Sequence, residues 1–145
     1  MKFQKISSLD LKGLEKALND ACKITVFRSN PNSNHFIVRI ERYHQLMVSS
    51  EATNVLLALK KANNCYLRTF EETIFYFSSK EDLPLDKCIK SGNWLELEGT
   101  RKGLHTGFFK GSLKTRSDEI LIFQVAENLP LLLEELNLKA SRYSY

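Results

Sequence analysis

The residues most able to do chemistry gather between Gly99 and Ser117, in the run GTRKGLHTGFFKGSLKTRS. Arg101, Lys102, Lys110, Lys114 and Arg116 fall here, with His105 and the adjacent Phe108 and Phe109. The stretch holds five of the chain's 21 basic residues and none of its 17 acids, so the whole excess behind the net charge of +4 is concentrated in it. Cations hold phosphate, and aromatic faces give exposed bases a surface to stack on, each stack worth roughly 1–3 kcal/mol. Arg101, Lys102, His105, Phe108, Phe109, Lys110, Lys114 and Arg116 are therefore the expected nucleic-acid contacts. Five cations with no interleaved acid cannot satisfy one another, so they are expected to face solvent or an anion. Phe108 and Phe109 point to opposite faces if they lie on a strand, one entering the core and the other standing with the lysines. Glycines at 99, 103, 107 and 111 let a backbone bend or approach closely, but their spacing is neither the Walker nor the dinucleotide pattern. A solvated hairpin whose lysines protect a sheet edge explains the same residues without a ligand.

Other reactive side chains assemble into nothing comparable. His35, His44 and His105 lack the spacing of a metal set, and Cys22, Cys65 and Cys88 lie too far apart in sequence to pair as ligands. No metal and no cofactor is expected. Cys88 reads as a buried structural thiol. Glu71 with Glu72, and Asp82 with Asp86, are explained by a turn and by the positive end of a helix, so no residue is assigned a catalytic role. Non-catalytic binding of single-stranded or structured RNA or DNA is the expected activity, and enzymatic chemistry is the lesser reading.

A second surface is legible in the leucines. Six of them fall between Leu129 and Leu138, more than one buried stripe requires. Leu131 and Leu138 are the expected partner contacts, together with Trp94, which shares a strand face with Glu96 and Glu98. The alternative function is thus a protein-interaction module, an adaptor or chaperone-like domain, with a homodimer as one form.

These residues need elements to position them. Leu11, Leu14, Leu18 and Ala21 at helical spacing predict a helix over 9–22, capped by Ser7 or Ser8. Lys23–Arg28, His35–Arg42 and Gln45–Ser49 read as strands, the first two separated by the turn-forming NPNSN. A helix over 51–62, capped by Ser49 or Ser50, follows. A hairpin is expected over Cys65–Phe70 and Thr73–Phe77, then a short helix ended by Gly92. Strands at Asn93–Glu98, within the basic stretch and at Glu119–Val125 precede a last helix over 128–138. Glu119–Val125 is apolar enough to suit a central strand.

Asp82-Leu-Pro-Leu85 and Asn128-Leu-Pro-Leu131 match, and so do Val48-Ser-Ser and Phe77-Ser-Ser. They suggest three copies of a strands-then-capped-helix unit, either a repeated capping solution or a true duplication. The expected fold is α+β, a mainly antiparallel sheet packed by two to four helices on one face, in the order α-βββ-α-ββ-α-βββ-α. One domain should occupy 1–138, with a frayed tail at 139–145. No apolar run approaches the roughly 20 residues that span a bilayer, and no apolar segment follows Lys2 and Lys5, so no membrane partner and no secretory leader is expected. Three scattered cysteines suit a reduced, cytoplasmic protein.

Overall fold

A computed structural model describes residues 6, 9–68, 83–100 and 108–143. Its elements run α1 (Lys12–Asn19), β1 (Lys23–Arg28), β2 (Phe36–Arg42), β3 (Gln45–Ala52), α2 (Val55–Leu67), α3 (Pro84–Lys90), β4 (Trp94–Gly99), β5 (Phe109–Lys114), β6 (Ile120–Ala126) and α4 (Leu129–Ala140). The six strands form one antiparallel sheet in the order β3-β2-β1-β4-β5-β6. Alternation along β2 and β5 buries Phe36, Val38 and Ile40, and Phe109, Gly111 and Leu113. These residues, with Ile24, Val26, Leu95 and Leu97, meet the apolar faces of the helices in one core.

The sheet is built from two α-βββ-α halves that meet at β1 and β4. Thr25 lies opposite Glu96, Ile24 opposite Leu97 and Val26 opposite Leu95. That register puts an approximate two-fold axis between Thr25 and Glu96. It exchanges Ile24 with Leu95, Val26 with Leu97 and Arg28 with Gly99. The remaining elements follow. Both β2 and β5 carry a register shift directly after their last buried residue, Ile40 and Leu113. Ala21 and Gly92, each ahead of its half's first strand, both have positive φ. Asn54 and Asn128 cap α2 and α4 alike, their side chains accepting the N–H of Leu57 and Leu131 at 2.8 Å. Val55, Leu56, Ala58, Leu59 and Ala62 are buried on α2, as are Leu129, Pro130, Leu132, Leu133 and Leu136 on α4.

Polar pins repeat with the same symmetry. Asn63 Oδ1 accepts the Leu14 N–H at 2.9 Å and Asn137 Oδ1 accepts that of Leu85 at 3.0 Å, each joining two helices of one half. Asp86 of α3 accepts the N–H of Val55 at 3.1 Å, while Glu15 of α1 accepts that of Leu129 at 2.8 Å. These two pins cross between the halves. Each supplies a carboxylate to the positive end of the other half's long helix, where an unpaired N–H would otherwise be left.

Several sequence expectations change. The described elements form two α-βββ-α halves rather than repeated strands-then-helix units, because α3 corresponds to α1 and α4 to α2; the matched Leu-Pro-Leu runs open helices that are not counterparts. The α2 cap is Asn54 rather than Ser49 or Ser50, since β3 continues through both serines to Ala52. Cys65, Tyr66 and Leu67, expected in a strand, form the last turn of α2. The rest of that expected hairpin lies outside the described residues, as do Ser7 and Ser8. The apolar β6 is an edge strand rather than a central one. α4 runs to Ala140, past the expected helix end at 138, and Tyr143 donates its hydroxyl to the Leu121 carbonyl at 2.8 Å. None of Cys22, Cys65 and Cys88 is joined in a disulfide. Among the described residues, no helix is long and apolar enough to cross a membrane.

Candidate functional site

The described part of the basic stretch, residues 99–100 and 108–117, runs from one end of the sheet to the other. Thr100 and Phe108 close together at one end of β4 and β5, the Thr100 N–H donating to the Phe108 carbonyl at 3.0 Å. Arg101, Lys102 and His105, between them in sequence, lie outside the described residues. Arg116 belongs to the β5–β6 turn, at the opposite end of the sheet. Lys110 and Lys114 lie on β5 between the two ends, and both are paired. Lys110 Nζ is 3.5 Å from a Glu98 carboxylate oxygen, and Lys114 Nζ is 2.6 Å from Glu96 and 3.7 Å from Asp118. The expectation that these lysines have no acid to satisfy them is therefore corrected. Their acids come from β4, the neighbouring strand, through the pairings Glu98 with Lys110 and Glu96 with Ser112. Phe109 is buried in the core and offers no stacking face, while Phe108 is half-buried.

Glu96 is the centre of this charge lattice. It is 4% exposed, contacting both Lys23 and Lys114. Burial pushes its carboxyl up, but hydrogen bonds from Lys114 and Lys23 outweigh that and hold it down to about 2. Glu96 in turn raises Lys114 above the ordinary lysine value. The lattice neutralises itself and leaves little charge for a ligand.

Unspent cations occur at the end of the sheet marked by Trp94 and Arg116. A cleft of about 280 Å³ is lined there by Phe27, Arg28, Asn30, Asn93, Trp94 and Arg116, with Gly92 and Ile89 behind them. Among the described residues no carboxylate lines it, and neither guanidinium has an ion-pair partner. Its parts are fixed by the fold. Trp94 Nε1 donates to the Thr115 carbonyl at 3.2 Å and the Lys114 ammonium sits 5.2 Å from its ring centre, so the indole is locked in place. Asn93 donates to the Cys88 carbonyl at 2.9 Å. Gly92, at φ +103°, leaves room for Arg116, whose Nε would lie 3.0 Å from any Cβ there. Cys88 is buried, and burial pushes its thiol up, which suits a structural role.

The two-fold axis relates this end to the one that holds Gly99. There β4 approaches α1 so closely that a Cβ on Gly99 would come within 2.8 Å of the Leu18 carbonyl oxygen. Arg28 occupies the place of Gly99, and Ile89 that of Leu18. A long side chain thus lines the cleft at a position where the other half has none.

Arg116, expected as a nucleic-acid contact, and Trp94, expected as a protein-partner contact, come together in this cleft with Arg28, Phe27 and Asn93, for which the sequence carries no signal. Leu131 and Leu138 point outward from α4, 36% and 58% exposed. Among the described residues no group of three or more His, Cys, Asp and Glu is arranged to hold a metal ion. Comparison with protein-family models, curated proteins and solved structures finds no match to this chain.

Proposed function

We propose that the protein is a non-catalytic module that binds single-stranded nucleic acid, RNA or DNA, through the cleft formed by Arg28, Arg116, Trp94 and Phe27. The carrying observation is two guanidiniums that, among the described residues, have no carboxylate partner, beside a fixed indole. Guanidinium groups take phosphate in a bidentate fork, and the indole and phenyl rings give adjoining bases a stacking surface. The chemistry tolerates any base, which suits strand binding without sequence selection. Lys110 and Lys114 contribute little, because Glu98 and Glu96 already hold them.

The test is an anisotropy titration of labelled single-stranded RNA and DNA at low and moderate salt. Arg28→Ala with Arg116→Ala should weaken binding and lower the salt slope by roughly 0.7 for each phosphate no longer neutralised. Lys110→Ala should change neither by much. Absence of binding by the wild type at low salt removes the reading.

The exposure of Leu131 and Leu138 favours a second reading, a protein contact on the outer face of α4. That face is solvent-facing and carries Glu134 and Glu135 beside the leucines, so a partner there would bring basic groups.

A further inference from the structure

We infer that the nucleic-acid contact extends past the β5–β6 turn into a second cleft, between β6 and the end of α4. This inference rests on the strand-binding reading of the first cleft. The second cleft has a volume of about 310 Å³ and is lined by Leu121, Ile122, Phe123, Lys139, Arg142 and Tyr143. It repeats the chemistry of the first: two cations, two aromatic rings and, among the described residues, no carboxylate in its lining. Neither Lys139 nor Arg142 is in an ion pair among those residues.

The rings are presented rather than buried. Phe123 is 48% exposed and Tyr143 44% exposed, far more than structural packing at a sheet edge requires. Their backbone setting is fixed. Lys139 Nζ donates to the Phe123 carbonyl at 3.1 Å, and the Tyr143 hydroxyl donates to the Leu121 carbonyl at 2.8 Å. These two bonds also occupy outward carbonyls of the edge strand, which blocks another strand from pairing there. An ammonium has three donors, so Lys139 keeps two for a ligand, and Arg142 keeps its whole fork.

Both clefts lie at the same end of the sheet. Arg116 lines the first from the β5–β6 turn, and Leu121 lines the second from the start of the strand that follows that turn. A strand held at Arg28 and Trp94 can therefore continue over the turn to Phe123, Tyr143 and Arg142. The footprint becomes several nucleotides long, within the roughly 4–16 that such platforms cover.

The test compares labelled oligothymidylates of about 4 and about 12 nucleotides, lengths set by that range. The proteins are wild type, Arg142→Ala, Arg142→Ala with Phe123→Ala, and Arg28→Ala with Arg116→Ala. The Arg28/Arg116 variant should bind both oligonucleotides more weakly than wild type, the short one most. The Arg142/Phe123 variant should bind the long one about tenfold more weakly and the short one unchanged. Arg142→Ala alone, an exposed change that leaves the fold intact, should lower the salt slope for the long oligonucleotide by roughly 0.7. If the long oligonucleotide binds both Arg142 variants as it binds wild type, while the Arg28/Arg116 variant binds weakly, the second cleft is not part of the site and the strand-binding reading stands. If wild type binds neither oligonucleotide, the strand-binding reading itself falls.

Discussion

Arg28 stands on β1 where Gly99 stands on β4. The two positions exchange under the axis between Thr25 and Glu96, yet Gly99 packs against Leu18 too closely for any side chain, while Arg28 lines an open cleft. A long side chain thus stands on one strand where its symmetry mate has none. Arg28→Gly should let β1 approach α3 as β4 approaches α1. Its effect on nucleic-acid binding should then be at least as large as that of Arg28→Ala, measured by the same titration.

Glu96 should dominate the acid limb of stability. Its folded carboxyl is held down to about 2, below the ordinary glutamate value of 4.5. The ionised form therefore stabilises the fold fully above 4.5, and this contribution erodes as pH falls toward 2 and is gone below it. Glu96→Gln should flatten the stability profile in that window and cost roughly 1–3 kcal/mol at neutral pH, the partly exposed lysine partners limiting the loss. Denaturant unfolding at stepped pH checks both. An unchanged acid limb in the variant would mean that other carboxylates carry it.

The paired helix caps should be energetically alike. Asn54→Ala and Asn128→Ala should each cost about 1 kcal/mol and add in the double variant, since they cap separate helices. Asp86→Ala should cost more, roughly 2–4 kcal/mol, because it strands the N–H groups of both Val55 and Leu83 at a site where Asp86 itself is 1% exposed. Chemical denaturation of the four variants measures this directly. A much smaller loss at Asn128 than at Asn54 would show that the two halves are not equally stable.

How much of this was legible in the sequence depends on whether the cause was local. β1 was readable to the residue because Ile24, Thr25, Val26 and Phe27 carry their own β preference. Asn128 was readable as a cap because it directly precedes the Leu-Pro-Leu run. Asn54 was not, because Ser49 and Ser50 offered an equally good cap and nothing local shows that β3 continues past them. The partners of Lys110 and Lys114 were hidden for a different reason. Glu96 and Glu98 meet them only through β4–β5 register, which no spacing within 99–117 encodes. The first cleft has the same character: Arg28, Trp94 and Arg116 come from three separate segments, joined by the strand order β1-β4-β5.

Leu138→Glu tests the competing protein-interaction reading. At 58% exposure the change should alter stability by less than about 0.5 kcal/mol. Sedimentation should give the same mass for wild type and variant if α4 carries no self-contact. A heavier wild type that becomes lighter in the variant would establish a dimer through this helix.

Trp94 is the only tryptophan in the chain, so its fluorescence reports the first cleft and nothing else. Titrating single-stranded oligonucleotide at low salt should quench and shift this emission saturably, in step with binding followed by anisotropy. Arg28→Ala with Arg116→Ala should remove the response while leaving the starting spectrum and the unfolding midpoint nearly unchanged. Binding that leaves Trp94 emission untouched, or an Arg28/Arg116 variant that responds as wild type does, would contradict the placement of the ligand in this cleft.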